Sequence, residues 1–161
     1  MKTTVKITSF YTPQNYRPEF SVAYLMLRNK SIYQRLGDMK LSPLGITAAQ
    51  MSVLMMISYG SSATISSISQ CLGVDPAATV RIVQKLEKIG LLSKASSKHD
   101  RRVIELRLTA AGKKMSKSIP PIWCQLLNHS LAGFSDKELE QFKSFLMRVE
   151  KNNLLQLEDA L

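Results

Sequence analysis

The stretch DPAATVRIVQKLEKIGLLSKASSKHDRRVIELRLTAAG, residues 75–112, decides the fold. Asp75 can cap a helix, and Pro76 suits its first position, where a missing amide proton costs nothing. Thr79, Ile82, Val83, Leu86 and Ile89 then recur at three- and four-residue steps, the inward stripe of an amphipathic helix that ends at Gly90. After Gly90 the period changes. Leu91 to Ser96 and Val103 to Leu108 alternate at a spacing of two, and Ile104, Leu106 and Leu108 mark the inner face of the second strand. Between them lies the polar, basic SSKHDRR. This predicts an amphipathic helix followed by a hairpin with a charged tip.

Upstream, Ile65, Ile68 and Leu72 define a short helix, closed by Gly73 where a helix end commonly needs a positive φ. Short helix, tight turn and amphipathic helix make a helix-turn-helix, and the hairpin behind it makes a winged helix. Further upstream, Thr47 and Gln50 form a capping box for a helix carrying Met51, Leu54 and Ile57. A long first helix spans about 20–41, with Val22, Leu25, Met26, Ile32, Tyr33, Leu36 and Met39 at roughly helical spacing, and ends near Pro43-Leu44-Gly45. Downstream, Thr109 caps a helix that Pro120-Pro121 is expected to kink or break. Ser135 and Glu138 cap a last helix running to about Leu157. The fold class is therefore mainly α with a small β-wing.

The chain has 161 residues, enough for one domain with its own core. With 45% hydrophobic and 21% charged residues, its composition is that of a globular protein. No apolar run is long enough for a bilayer span, and no apolar h-region follows the first lysine, so no membrane partner and a cytoplasmic location are expected. The net charge is +10, and residues 76–117 hold eleven basic side chains against Glu87, Asp100 and Glu105. So concentrated a block is the footprint of a polyphosphate partner. Cys71, Cys124, His99 and His129 share no metal-ligand spacing, and there is no phosphate loop, nucleophile elbow or paired-carboxylate cluster. Neither a metal, a cofactor nor an enzyme is expected.

On the helix from Pro76, the residues facing away from the stripe are Ala77, Ala78, Val80, Arg81, Gln84 and Lys85, which would enter the major groove of double-stranded DNA. Arg81 has the geometry to donate to guanine, and Gln84 to pair with adenine or a phosphate. Lys98, His99 and Arg101 at the hairpin tip, with Ser66 and Ser67 at the start of the preceding helix, are candidate phosphate contacts.

The segments SPLGITAAQ (42–50), KLEKIGLL (85–92) and DRRVIELRLTAAG (100–112) resemble the MarR (multiple antibiotic resistance regulator) family in order and spacing, D-x-R followed by L-T-x-x-G being the most specific feature. The resemblance runs from about Ser21 to Val149. It implies a single MarR-like domain over 1–161, with the winged helix at about 47–112 and dimerisation parts at about 1–42 and 113–161. It further implies a homodimer on a pseudo-palindromic operator, usually a repressor, released by a small aromatic or phenolic acid or by an oxidant. Arg102 matches the family arginine that reaches the minor groove, and Asp100 the acid that orients it. Many relatives have Thr or Ser where Ala78 stands and a polar residue where Val80 stands, so the operator is not carried over.

The apolar material outside the winged part, including Phe10, Tyr11, Ile122, Leu127, Phe142, Phe145, Leu154 and Leu155, exceeds the needs of a reading head and suits intertwined terminal helices. By the same resemblance, an effector pocket would bring together Tyr24, Arg28, Met51, Met55 and Trp123. Flexible methionines, aromatic walls and one cation suit an aromatic carboxylate, although such a stripe also serves as plain core. Cys71 and Cys124 are redox candidates against the commoner fate of a buried structural thiol, and no cysteine stands near the N-terminus, where peroxide-sensing relatives keep theirs. A winged-helix interaction module without operator binding is the competing reading. A positive wing argues against it.

Overall fold

The computed structural model describes residues 8–60, 63–96 and 102–159. The chain divides between Ile119 and Pro120 into two compact units. In the first, α1 (Val22–Leu41) starts at Ser21, whose hydroxyl accepts from the Tyr24 amide at 3.2 Å. It runs into a short 3-10 turn at Ser42–Leu44, and only Gly37 and Leu41 along it are buried.

The helix α2 (Ala48–Tyr59) forms where expected. The Gln50 amide donates to the Thr47 hydroxyl at 3.2 Å, and the Thr47 amide donates to the Gln50 side chain at 2.9 Å. The Ala48 amide also donates to the Asp38 carboxylate at 2.7 Å, which fastens the end of α1 to the positive end of α2. With Met51, Val53 and Leu54 buried, α2 is the centre of this unit's core.

The short α3 (Ile65–Leu72) carries a capping box between Thr64 and Ser67, and Gly73 closes it at φ 58°. Then α4 (Pro76–Lys88) leads into the antiparallel strands β1 (Leu92–Ser96) and β2 (Ile104–Leu108), with Leu92 opposite Leu108 and Ser96 opposite Ile104. The Leu106 amide donates to the Ala63 carbonyl at 2.7 Å, so the residue just before Thr64 adds an edge to the hairpin. Leu106 is buried in the core, whereas Ile104, on the same face but at the far end of the strand, is exposed.

The helix α5 (Ala110–Ser130) runs through Pro120 and Pro121, so of the expected kink or break the break does not occur. Because the prolines are adjacent, both missing amide protons fall in one turn, and the hydrogen bonds on either side carry the helix past them. The second unit contains the rest of α5 and α6 (Asp136–Asp159). At the start of α6 the Glu138 amide donates to the Ser135 hydroxyl at 3.3 Å, and the Ser135 amide donates to the Glu138 carboxylate at 2.8 Å. No single helix among the described residues is long and apolar enough to cross a membrane.

Candidate nucleic-acid interface

The start of α4 is fixed by Asp75, whose carboxylate accepts from the amides of Ala77 at 2.7 Å and Ala78 at 3.2 Å. Thr79, Val83 and Leu86 are fully buried against the first unit's core, with Ile82 half-buried beside them. A buried hydroxyl pair, Ser69 and Thr79 at 2.9 Å, ties α4 to α3. These contacts fix the rotation of α4 about its axis. They leave Ala77, Arg81, Gln84 and Lys85 exposed, and Ala78 and Val80 half-buried at the margin.

One residue of the expected inner stripe departs. Ile89 is 50% exposed because it is the cap residue, with φ −90° and ψ 8°, where helical periodicity has already ended.

The outer face of α4 therefore presents a narrow run of small, amide and cationic side chains, bordered by the exposed Lys88. Ser66 and Ser67 are exposed on the first turn of α3. The Ser67 hydroxyl also accepts from the Thr64 amide at 3.0 Å, a capping role easy to overlook because a Ser stands where the usual box has Glu or Gln.

The hairpin stands on a well-bonded base. Lys94 on β1 pairs with Glu87 on α4 at 2.7 Å, and Arg107 on β2 pairs with Glu105 at 3.0 Å. Arg102 is exposed two residues before β2. Lys98, His99, Asp100 and Arg101 lie outside the described residues.

The residues expected to line an effector pocket are spread over three helices. Tyr24 and Arg28 are exposed on α1, Met51 is buried and Met55 half-buried on α2, and Trp123 stands on α5 in the second unit. Cys71 and Cys124 are both exposed free thiols, which overturns the expectation of buried structural cysteine. Each falls on an outward position of its own helix.

A three-helix head with α3 and α4 at a tight turn and a hairpin behind them is a winged helix. Residues 46–104 match the model of the MarR family. They form a MarR-family domain. Over 121 residues the chain is 26% identical to the HTH-type transcriptional regulator BilQ of Clostridioides difficile (strain CD3), covering 75% of this chain and 82% of that one. The reduced form of MarR from E. coli superposes with a TM-score of 0.69 at 27% identity, over 81% of this chain and 96% of that one. The S. aureus MepR–DNA complex superposes with a TM-score of 0.75 at 21% identity, over 84% and 99%. The MarR-family domain here is thus the winged-helix part of a DNA-binding transcription regulator, and α4 is the second helix of its helix-turn-helix.

Proposed function

We propose that the protein is a homodimeric repressor that reads a pseudo-palindromic operator with α4 and the wing, and leaves it when a small aromatic or phenolic acid binds. The observation that carries the DNA part is the division of α4 into a fully buried face at Thr79, Val83 and Leu86 and an exposed face at Ala77, Arg81, Gln84 and Lys85. Arg81 supplies donors, and Gln84 a donor and an acceptor, complementary to the groups that the bases display in the major groove, and Lys85 supplies a phosphate contact. Ser66, Ser67 and the wing residues 98–102 extend the contact to the backbone and minor groove. The MepR neighbour was crystallised on DNA, which supports the same partner here.

Dimerisation is supported by what the single chain leaves uncovered. Val22, Leu25, Met26, Leu27 and Ile32 on α1 and Phe142, Phe145, Leu154, Leu155 and Leu157 on α6 are exposed to between 39% and 68%, and α6 buries no residue. Fully burying one such side chain yields about 1.5–3 kcal/mol, so a second copy laid over these faces is strongly favoured. A head that reads one half-site needs that second copy.

The effector part of the reading rests on chemistry. Arg28 offers a cation for a carboxylate, and Tyr24, Met51, Met55 and Trp123 offer aromatic and polarisable surface. A second reading, thiol-based sensing, draws on the exposure of Cys71 and Cys124.

The deciding experiment is an anisotropy titration against DNA from upstream of the protein's own coding region, with competitor duplex, repeated with salicylate and with peroxide. Sequence-preferring binding lost with salicylate is the expected result. Loss with peroxide alone moves the sensor to the cysteines, and no binding to any duplex removes the regulator reading.

A further inference from the structure

The two ends of the wing hairpin are fastened to each other by Thr109. Its hydroxyl donates to the Gly90 carbonyl at 2.7 Å, with the Leu91 carbonyl at 3.3 Å. The same oxygen accepts from the Gly112 amide at 3.0 Å, capping α5. The Thr109 amide donates to the Leu91 carbonyl at 3.1 Å. One threonine therefore joins three elements: the turn that ends α4, the start of β1, and the first turn of α5. Gly112 lets them meet, since a side-chain carbon there would overlap the Leu91 carbonyl oxygen. On the other side of the joint, the Leu91 amide returns to the Leu86 carbonyl at 2.9 Å, so the turn is also bound to the recognition helix.

We propose that Thr109 is a positioning residue for operator reading: its hydroxyl clasps α5 to the α4–β1 turn and so sets the tilt at which the wing carries Arg102. This rests on the reading of Arg102 as a wing contact. A five-residue strand such as β1 spans about 15 Å, so a tilt of about 5° at its base moves its far end by roughly 1.3 Å. Hydrogen-bond distances tolerate a spread of only about 0.5 Å. A loosened clasp therefore costs the contact made at the far end while the core beneath it, centred on Leu106, stays packed. The recognition helix keeps its own anchors at Thr79, Val83 and Leu86, so the loss falls on the wing.

The test is a double-mutant cycle on the full-length chain, using a labelled duplex from upstream of its own coding region and correcting each protein for its folded dimer fraction. Thr109→Val keeps the shape and removes the hydroxyl. It should weaken binding about 3- to 10-fold, the equivalent of one hydrogen bond, while Thr109→Ser stays within about twofold of wild type. In an Arg102→Ala background, Thr109→Val should add less than about twofold.

An equal penalty in both backgrounds, or none in either, overturns the proposal while leaving the wing contact standing. If Arg102→Ala binds like wild type, the wing reading falls and the positioning role falls with it. Should Thr109→Val not fold, Thr109→Asp replaces it in the cycle: it keeps an acceptor for the Gly112 amide and has no proton for Gly90. Residue 109 lies about 20 Å along the strand from residue 102, beyond the screening length of roughly 8 Å at physiological salt, so its charge does not feign coupling.

Discussion

The hydroxyl oxygens of Ser69 and Thr79 lie 2.9 Å apart, buried in the seam between α3 and α4. The Ser69 hydroxyl also lies 2.7 Å from the Ile65 carbonyl, and the Thr79 hydroxyl donates to Asp75 at 3.3 Å, so the pair closes a chain of polar contacts inside an otherwise apolar interface. A buried hydrogen bond of this kind adds little net free energy but permits one rotation of α4 over its neighbours.

Thr79→Val keeps the branched shape and leaves Ser69 bonded to Ile65. The expected cost is about 1 kcal/mol, a fall of roughly 2–4 °C in Tm, read from denaturant and thermal melts. Ser69→Ala combined with Thr79→Val should cost less than the two single changes together. Strict additivity would show that the pair carries no mutual interaction.

Arg81 and Lys85 face outward on the same helix but are expected to act differently. Arg81→Ala should cost about 1–3 kcal/mol on the preferred duplex and relax the preference at one base pair, whereas Lys85→Ala should weaken preferred and random duplexes alike and reduce the salt slope by about 1. Both are read from anisotropy titrations across a salt series. Equal effects of Arg81→Ala on preferred and random DNA would reduce that arginine to a backbone contact.

What was legible in the sequence was legible because it is local. Thr47 with Gln50, Asp75 with Ala77, and Ser135 with Glu138 sit within three residues of each other, so spacing alone predicts the cap. The outward face of α4 followed from the 3.6-residue period, and that period misled only at Ile89, where the helix ends. Contacts made across space left no such trace. Nothing in the spacing pairs Asp38 with the Ala48 amide, Ala63 with Leu106, or Thr109 with Gly90. The two prolines were read as a kink or a break because each alone commonly makes one, and the exposure of Cys71 and Cys124 depends on the packing around them. Of the candidate site, the exposed face of α4 was readable from its amphipathic pattern, while the effector residues came from resemblance and stand on α1, α2 and α5 as candidates.

Removing the chain after Gly133 deletes α6. If Phe142, Phe145, Leu154 and Leu155, exposed to between 42% and 53% in the single chain, are covered by a second copy, the truncated protein should elute as a monomer or aggregate. Size exclusion with light scattering reads this directly. A clean dimer that still binds duplex DNA would remove α6 from the interface.

The start of α6 carries a pH dependence. The Ser135 backbone amide, and after it the Ser135 hydroxyl, hold the Glu138 carboxyl below the ordinary glutamate range. A depressed folded value means that the cap's contribution is present above the ordinary range and is lost as pH falls through the lowered value. An NMR titration should therefore place the Glu138 midpoint below that of a free glutamate, with fraying of the first turn of α6 following it. Glu138→Gln keeps the acceptor and should abolish that dependence. A midpoint at or above the ordinary range would mean the cap does not form in solution.

Gly112→Ala sets two effects against each other. In the first turn of an ordinary helix the change should stabilise by up to about 1 kcal/mol, since alanine is the better helix former. Here the new carbon would overlap the Leu91 carbonyl oxygen and stand 3.1 Å from its carbon and 3.3 Å from the Leu108 side chain. The obstacle is backbone held by the Thr109 amide, so it cannot swing aside as a side chain would. Relief requires parting α5 from the start of β1, which breaks the Thr109 bonds to Leu91 and Gly90. Two lost hydrogen bonds and local repacking amount to about 2–4 kcal/mol, more than the helix preference returns. The substitution should therefore lower Tm by several degrees and weaken DNA binding in the same direction as Thr109→Val. A thermal melt showing Gly112→Ala as stable as wild type would mean that α5 and β1 do not meet this closely.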